Sequence, residues 1–152
     1  MSEMPHPKQD ISLEITAQPQ YLSVIRHFIS CLAQELNFST EEALQLEMCV
    51  DEACANSICA IHDKEGPEPK TKVKVDILID PSSLKITIHD SGKDFSPHFQ
   101  KALPIDEHTD RTQFRGYGLQ IIKTFMDDVQ YDRDPAAGNH LHMIKYFSES
   151  AE

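Results

Sequence analysis

The sequence predicts an α+β fold, a two-layer α/β sandwich in which a mainly antiparallel sheet is covered on one face by helices. Periodicity is one ground for it. Apolar residues recur at helical spacing over 22–36 and 43–58, whereas Val73, Val75, Ile77 and Ile79, and then Leu84, Ile86 and Ile88, alternate with polar neighbours as in half-buried strands. Order along the chain is the other. Helices come early, a hairpin follows, and after a long unpatterned stretch come a further helix and a closing pair of strands, which groups the strands instead of alternating them with helices.

Residues 1–10 carry prolines and mostly polar side chains and are expected to form a flexible leader, with a single domain over 11–152. Ile11, Leu13 and Ile15 alternate as a strand. Pro19 suits the first turn of a helix, where its missing N–H would be unpaired anyway, and Leu22, Ile25, Phe28, Ile29, Leu32 and Leu36 continue that helix to near Asn37. Ser39-Thr40-Glu41-Glu42 has the form of a capping box, with Ser39 as N-cap and Glu42 reaching back to its N–H. The helix it starts takes its apolar surface from Ala43, Leu44, Met48, Val50, Ala55 and Ile58, and its pattern dissolves by His62 into the breaker-rich segment 63–69. Asp80-Pro81-Ser82-Ser83 then joins the hairpin strands. From 91 to 114 no period is sustained, and a loop of that length inside a domain is usually functional or disordered. Gly116-Tyr117-Gly118 opens a short helix with Leu119, Ile121, Ile122, Phe125 and Met126 on its apolar side, and strands are expected near Val129–Tyr131 and over His140–Phe147.

A formal net charge of −11 argues against nucleic acid as a partner, since displacing counterions from phosphates needs clustered Lys and Arg. No apolar run approaches the roughly 20 residues that cross a bilayer, and the N-terminus lacks the apolar core of a signal peptide, so no membrane partner and a cytoplasmic location are expected. Cys31, Cys49, Cys54 and Cys59 all fall in predicted helices. The last three recur at steps that turn about 140° around a helix, so they do not converge on a metal, and all four are expected to be small core residues of a reduced protein.

Three segments carry candidate chemistry. Within Leu46–Asn56, Glu52 and Asn56 share one helical face, as do Glu47 and Asp51. A carboxylate can take a proton from an attacking hydroxyl, and an amide oxygen is a hard ligand suited to Mg²⁺, although a solvated helical stripe would use the same residues. His89-Asp90-Ser91-Gly92 ends a strand. There Asp90 could accept a hydrogen bond from an exocyclic amine such as that of adenine, and Gly92 would let backbone approach a ligand, but a plain turn has the same composition. Arg115-Gly116-Tyr117-Gly118-Leu119 runs into a helix, where glycines and the helix N-terminus suit a phosphate.

In this order the three segments resemble the GHKL (histidine-kinase-like) ATPase superfamily over most of the chain, from Ile11 to Phe147. Val50-Asp51-Glu52-Ala53-Cys54-Ala55-Asn56 looks like the family's N box, Asp90-Ser91-Gly92 like its first glycine box and Gly116-Tyr117-Gly118-Leu119 like its second. Phe95-Ser96-Pro97, and the run from Ile122 to Val129 after Gly-x-Gly-Leu, look like the anti-sigma-factor serine/threonine kinase branch. The resemblance implies the Bergerat ATP-binding fold, with ATP and Mg²⁺ as cofactors. It implies Glu52 as catalytic base, Asn56 as holder of Mg²⁺, Asp90 with Gly92 on the adenine, and Gly116, Tyr117, Gly118 and Leu119 around the phosphates. Arg115 lies where a lid arginine would meet the terminal phosphate; pairing with Asp106 and Glu107 is the alternative. A STAS-domain anti-anti-sigma protein that is phosphorylated, a sigma factor that is sequestered, and a homodimer are the partners implied.

Three positions depart from the family pattern. Asp94 stands where the first glycine box has a further glycine, Ala60 replaces a histidine, and Gly138-Asn139-His140-Leu141-His142 lacks the hydroxyl residue expected near the adenine. These predict either a rebuilt adenine pocket or weakened nucleotide binding, and with the second a catalytically weak or inactive binding module. His140 and His142 share a strand face that a metal could use, with no third ligand evident.

Overall fold

The computed structural model describes residues 8–92 and 115–148. The alternating segments pair into one five-stranded sheet of order β1-β2-β3-β5-β4, antiparallel throughout, from β1 (Gln9–Thr16), β2 (Lys72–Ile79), β3 (Ser83–Asp90), β4 (Asp128–Asp134) and β5 (Gly138–Tyr146). Among the described residues three helices join them: α1 (Leu22–Glu35), α2 (Thr40–Glu65) and α3 (Arg115–Phe125). The α+β sandwich expected from the periodicity is thus present. β1 starts earlier than its apolar alternation, since Gln9 and Asp10, placed in the leader by their polarity, pair with Ile79 and Leu78. Ladder hydrogen bonds use backbone groups, which exposed polar side chains do not disturb.

The inward residues of the sheet (Val73, Val75, Ile77, Leu84, Ile86, Ile88, Leu141 and Met143) form one core with Ile25 and Ile29 of α1, Leu46, Cys49, Val50, Ala53, Cys54, Ile58 and Ile61 of α2, and Leu119 and Ile122 of α3. Each fully buried aliphatic side chain contributes roughly 1.5–3 kcal/mol. α2 packs against α1 on one side, α3 on the other and β3 beneath, so its polar residues are forced to the edges of those contacts or into a site.

Local signals fix the helix ends. Pro19 opens a 3₁₀ turn (Pro19–Tyr21) that leads into α1. α1 closes with Asn37 at φ 61°, Phe38 N–H donating to the Ala33 carbonyl at 3.0 Å and Asn37 N–H to that of Gln34 at 3.0 Å, a Schellman arrangement. α2 opens with the expected box: Ser39 Oγ accepts from Glu42 N–H at 3.1 Å while Glu42 Oε2 accepts from Ser39 N–H at 2.9 Å. It runs to Glu65, a turn past the point where its apolar pattern fades. His62 is tied there to the Ala17 carbonyl at 2.6 Å, and Glu65 accepts from the Lys70 and Thr71 amides, so the last turn is held by polar contacts that periodicity does not register.

The other face of the sheet is polar. Asp76 accepts from Ser12 at 2.6 Å and lies 2.9 Å from His89 Nε2, while the Nδ1 atoms of His89 and His140 are 2.6 Å apart. His142 lies between Thr87 and Asp132 at 3.0 and 2.9 Å. These contacts occupy His140 and His142 separately, and among the described residues no three ligating side chains converge on a metal position. Two cysteines correct the sequence expectation: Cys49 and Cys54 are buried, but Cys31 is exposed on α1 and Cys59 is half-buried. Among the described residues no helix is long and apolar enough to cross a membrane.

Because the box satisfies two otherwise orphaned donors of the longest helix, Ser39→Ala is expected to lower stability by about 1 kcal/mol, read as an earlier midpoint in urea with unchanged slope.

Candidate functional site

α2 brings Glu52 and Asn56 to its face one turn apart, as the sequence spacing requires. Asn56 is buried, and its Nδ2 has no hydrogen-bond partner among the described residues. A half turn of the amide exchanges nitrogen for oxygen, so the residue can present a hard oxygen ligand. Glu52 is half-buried, and burial, followed by the charge of Asp51, pushes its carboxyl above the usual range. Of the other pair, Asp51 takes Arg26 of α1 at 2.9 Å.

Asp90 ends β3 and is only 4% exposed. Its Oδ1 accepts from Gly92 N–H at 2.8 Å and from Asn139 Nδ2 at 2.8 Å, whereas Oδ2 is buried without a hydrogen-bond partner among the described residues. Burial raises its pKa, opposed by Ser57, Asn139, Gly92 and Arg133. Ser57 follows Asn56 on α2, so this turn of the helix reaches the surroundings of Asp90.

Close backbone approach explains the glycines. A Cβ on Gly92 would fall 2.5 Å from the Ala60 carbonyl carbon and 2.6 Å from Ala60 Cβ, so the segment leaving β3 presses directly on α2, at the position where the resemblance expected a histidine. Gly138, at φ 95°, starts β5 against the Asp90 carbonyl, where a Cβ would collide. Gly118 abuts Glu52: a Cβ there would strike Glu52 Oε2. The N-terminal turn of α3 therefore sits on Glu52, and the first N–H groups of a helix have no partner within it.

The structure thus brings together Glu52, Asn56, Asp90, Gly92 and Gly118. Arg115, Gly116 and Tyr117 lie in the first turn of α3, and the roles expected of the Arg115 and Tyr117 side chains fall outside the described residues. Leu119 is 2% exposed and packs in the core, leaving only its backbone for a ligand. Asp94, Phe95-Ser96-Pro97, Asp106 and Glu107 also lie outside the described residues.

Sequence reasoning missed Asn139, Tyr131 and Arg133. Asn139 Oδ1 accepts from Tyr131 Oη at 2.7 Å and from Arg133 NH1 at 2.7 Å, and Arg133 also donates to the Gly92 carbonyl at 3.2 Å. A signal was present: Asn139, Leu141 and Met143 share one phase of β5, and a polar residue in the inward phase of a strand needs a partner.

A buried acceptor at Asp90, a buried amide at Asn56, a carboxylate raised toward neutrality and a glycine-lined helix N-terminus together suit a nucleotide and a divalent cation. Comparison with known proteins agrees on the nucleotide. The model of the histidine kinase-like ATPase domain matches residues 15–145. The serine-protein kinase RsbW of Listeria monocytogenes is 32% identical over 143 residues, covering 91% of this chain and 88% of the relative. The anti-sigma F factor of Bacillus cytotoxicus is 27% identical over 143 residues, covering 94% and 96%. Among solved structures, a chain of the SiaB–SiaC complex from Pseudomonas aeruginosa shares the fold at TM-score 0.61 and 12% identity, covering 90% of this chain and 89% of that one. The chain belongs to the histidine kinase-like ATPase family, in the branch of the anti-sigma-factor serine/threonine kinases.

Proposed function

We propose that this kinase binds ATP with Mg²⁺, transfers the γ-phosphoryl group to a Ser or Thr of a STAS-domain anti-anti-sigma protein, and sequesters a sigma factor, acting as a homodimer. The observation that carries the reading is the pair of buried polar atoms, Asp90 Oδ2 and Asn56 Nδ2, that lack partners among the described residues, with Glu52 one helical turn from Asn56 and against the α3 N-terminus at Gly118. Relatives named serine-protein kinase and anti-sigma F factor support the protein substrate and the sigma partner.

Each residue has a definite task. Asp90 Oδ2 accepts from the exocyclic amine of adenine. Backbone N–H groups around Gly116 and Gly118 hold phosphate oxygens, aided by the helix dipole. Asn56 would hold Mg²⁺, which when bound neutralises phosphate charge. Glu52 takes the proton of the attacking hydroxyl, and burial brings its pKa nearer the working pH of a general base. Arg115 meets the charge on the transferred group.

Incubation with γ-labelled ATP, Mg²⁺ and a STAS-domain protein from the same genome tests the reading. Labelled phosphoserine or phosphothreonine is expected, and ATP binding without transfer would leave a non-catalytic binding module. Glu52→Gln should cut transfer at least about 100-fold while ATP affinity holds within about threefold. Asp90→Asn should weaken ATP binding at least about tenfold, measured by calorimetry.

The same Glu52→Gln variant carries a stability signature. A carboxyl whose folded pKa is raised binds its proton more tightly in the folded state, so folding weakens as pH rises through the carboxylate range to the folded pKa. Wild type and variant should therefore unfold alike at low pH, with the variant the more stable at neutral pH; equal stability at both would show that burial does not strain Glu52.

A further inference from the structure

Asp90 and Asn139 stand directly opposite each other in the β3–β5 ladder, and the orientation of the Asn139 amide is set by its neighbours. Arg133 has only donors to offer, so the atom it meets at 2.7 Å is the amide oxygen. The other end of the amide meets acceptors, the Asp90 carboxylate at 2.8 Å and the Gly92 carbonyl at 3.5 Å, so it is the nitrogen. A reversed amide would set oxygen against carboxylate and NH₂ against guanidinium. Tyr131 adds a second donor to the same oxygen at 2.7 Å.

We propose that Asn139, clamped by Arg133 and Tyr131, is the positioning residue for base selectivity: it fixes the Asp90 carboxylate through Oδ1 and leaves Oδ2 as the acceptor for a purine amine. This rests on the ATP reading above. Oδ1 already receives two donors, Gly92 N–H and Asn139 Nδ2, which hold the plane of the carboxylate, while Oδ2 receives none among the described residues. A carboxylate so held welcomes an amine and repels a carbonyl oxygen at the same place. Arg133 extends the clamp by also holding the Gly92 carbonyl at 3.2 Å, tying β4 and β5 to the segment that leaves β3. An amide on β5, supported from β4, here occupies the position where the family resemblance expected a hydroxyl residue. Without that amide the carboxylate can turn, and its preference for an amine over a carbonyl should fall.

The test is calorimetric binding of ATP and of inosine triphosphate, which carries a carbonyl in place of the amine, with Mg²⁺ present. Wild type should favour ATP at least about tenfold. In Asn139→Leu, which keeps the volume without the hydrogen bonds, the ratio should fall to within about threefold, with the loss on the ATP side. Arg133→Met, at an exposed position that leaves the core intact, should give an intermediate ratio, and Arg133→Lys, still a donor, should recover most of it. Arg133→Met carries the test if the Leu variant fails to fold, as judged by thermal melting. An unchanged ratio in folded variants would overturn the inference and leave the ATP reading standing. Wild type that binds ATP and the inosine analogue equally would do the same, whereas wild type that binds neither would overturn both.

Discussion

The buried carboxylate of Asp90 is the constraint on which the neighbouring structure depends, because an ionised acid shielded from water must find donors or take a proton. The groups that favour its ionised form come from three places in the chain. Gly92 turns its N–H back from the segment after β3, Asn139 reaches across from β5, and Ser57 approaches from α2. The glycines then follow from distance. Any side chain at 92 would collide with Ala60, and any at 138 with the Asp90 backbone, so small residues are required wherever these segments converge. The sheet, the central helix and the β4–β5 turn are thus locked together at one end by the needs of a single acidic group.

α2 supplies the opposite wall. Packed against α1, α3 and the sheet, it has apolar residues on most of its circumference, and Glu52, Asn56 and Ser57 break that surface only where the site lies. Burial pushes both Glu52 and Asp90 toward the protonated form, a local cost offset by the apolar core on the remaining faces of the same helix. Such sites concentrate where catalysis and stability pull in different directions. Asp51, one residue before the base, instead meets Arg26 of α1 at 2.9 Å.

Much of this was legible in the sequence, and what was missed has identifiable causes. Strand alternation is a two-residue signal, so β2 and β3 were plain, and the Ser39/Glu42 box marked the start of α2 to the residue. The start of β1 and the last turn of α2 were not, because backbone pairing at Gln9 and the ties at His62 and Glu65 leave no apolar period. Glu52 and Asn56 were readable because they lie one helical turn apart. Asn139 was missed for the converse reason: its partner Asp90 is 49 residues away, and only the β3–β5 register sets them face to face. The strand period sets His140 beside His142, whereas the ring of His89 across the ladder lies nearer to it.

The unequal burial of the four thiols also makes the chain easy to instrument. The thiolate is the form that reacts with alkylating dyes; burial pushes Cys49 up to about 12 and Cys54 higher still, while Cys31 stands exposed on α1. A brief exposure to a maleimide dye near neutral pH therefore marks α1 first, with Cys59 slower and the two buried thiols silent. The native sequence thus supplies an optical tag on a helix that carries none of the nucleotide-site residues, from which a protein settling on the helical layer can be followed by fluorescence without altering a single codon.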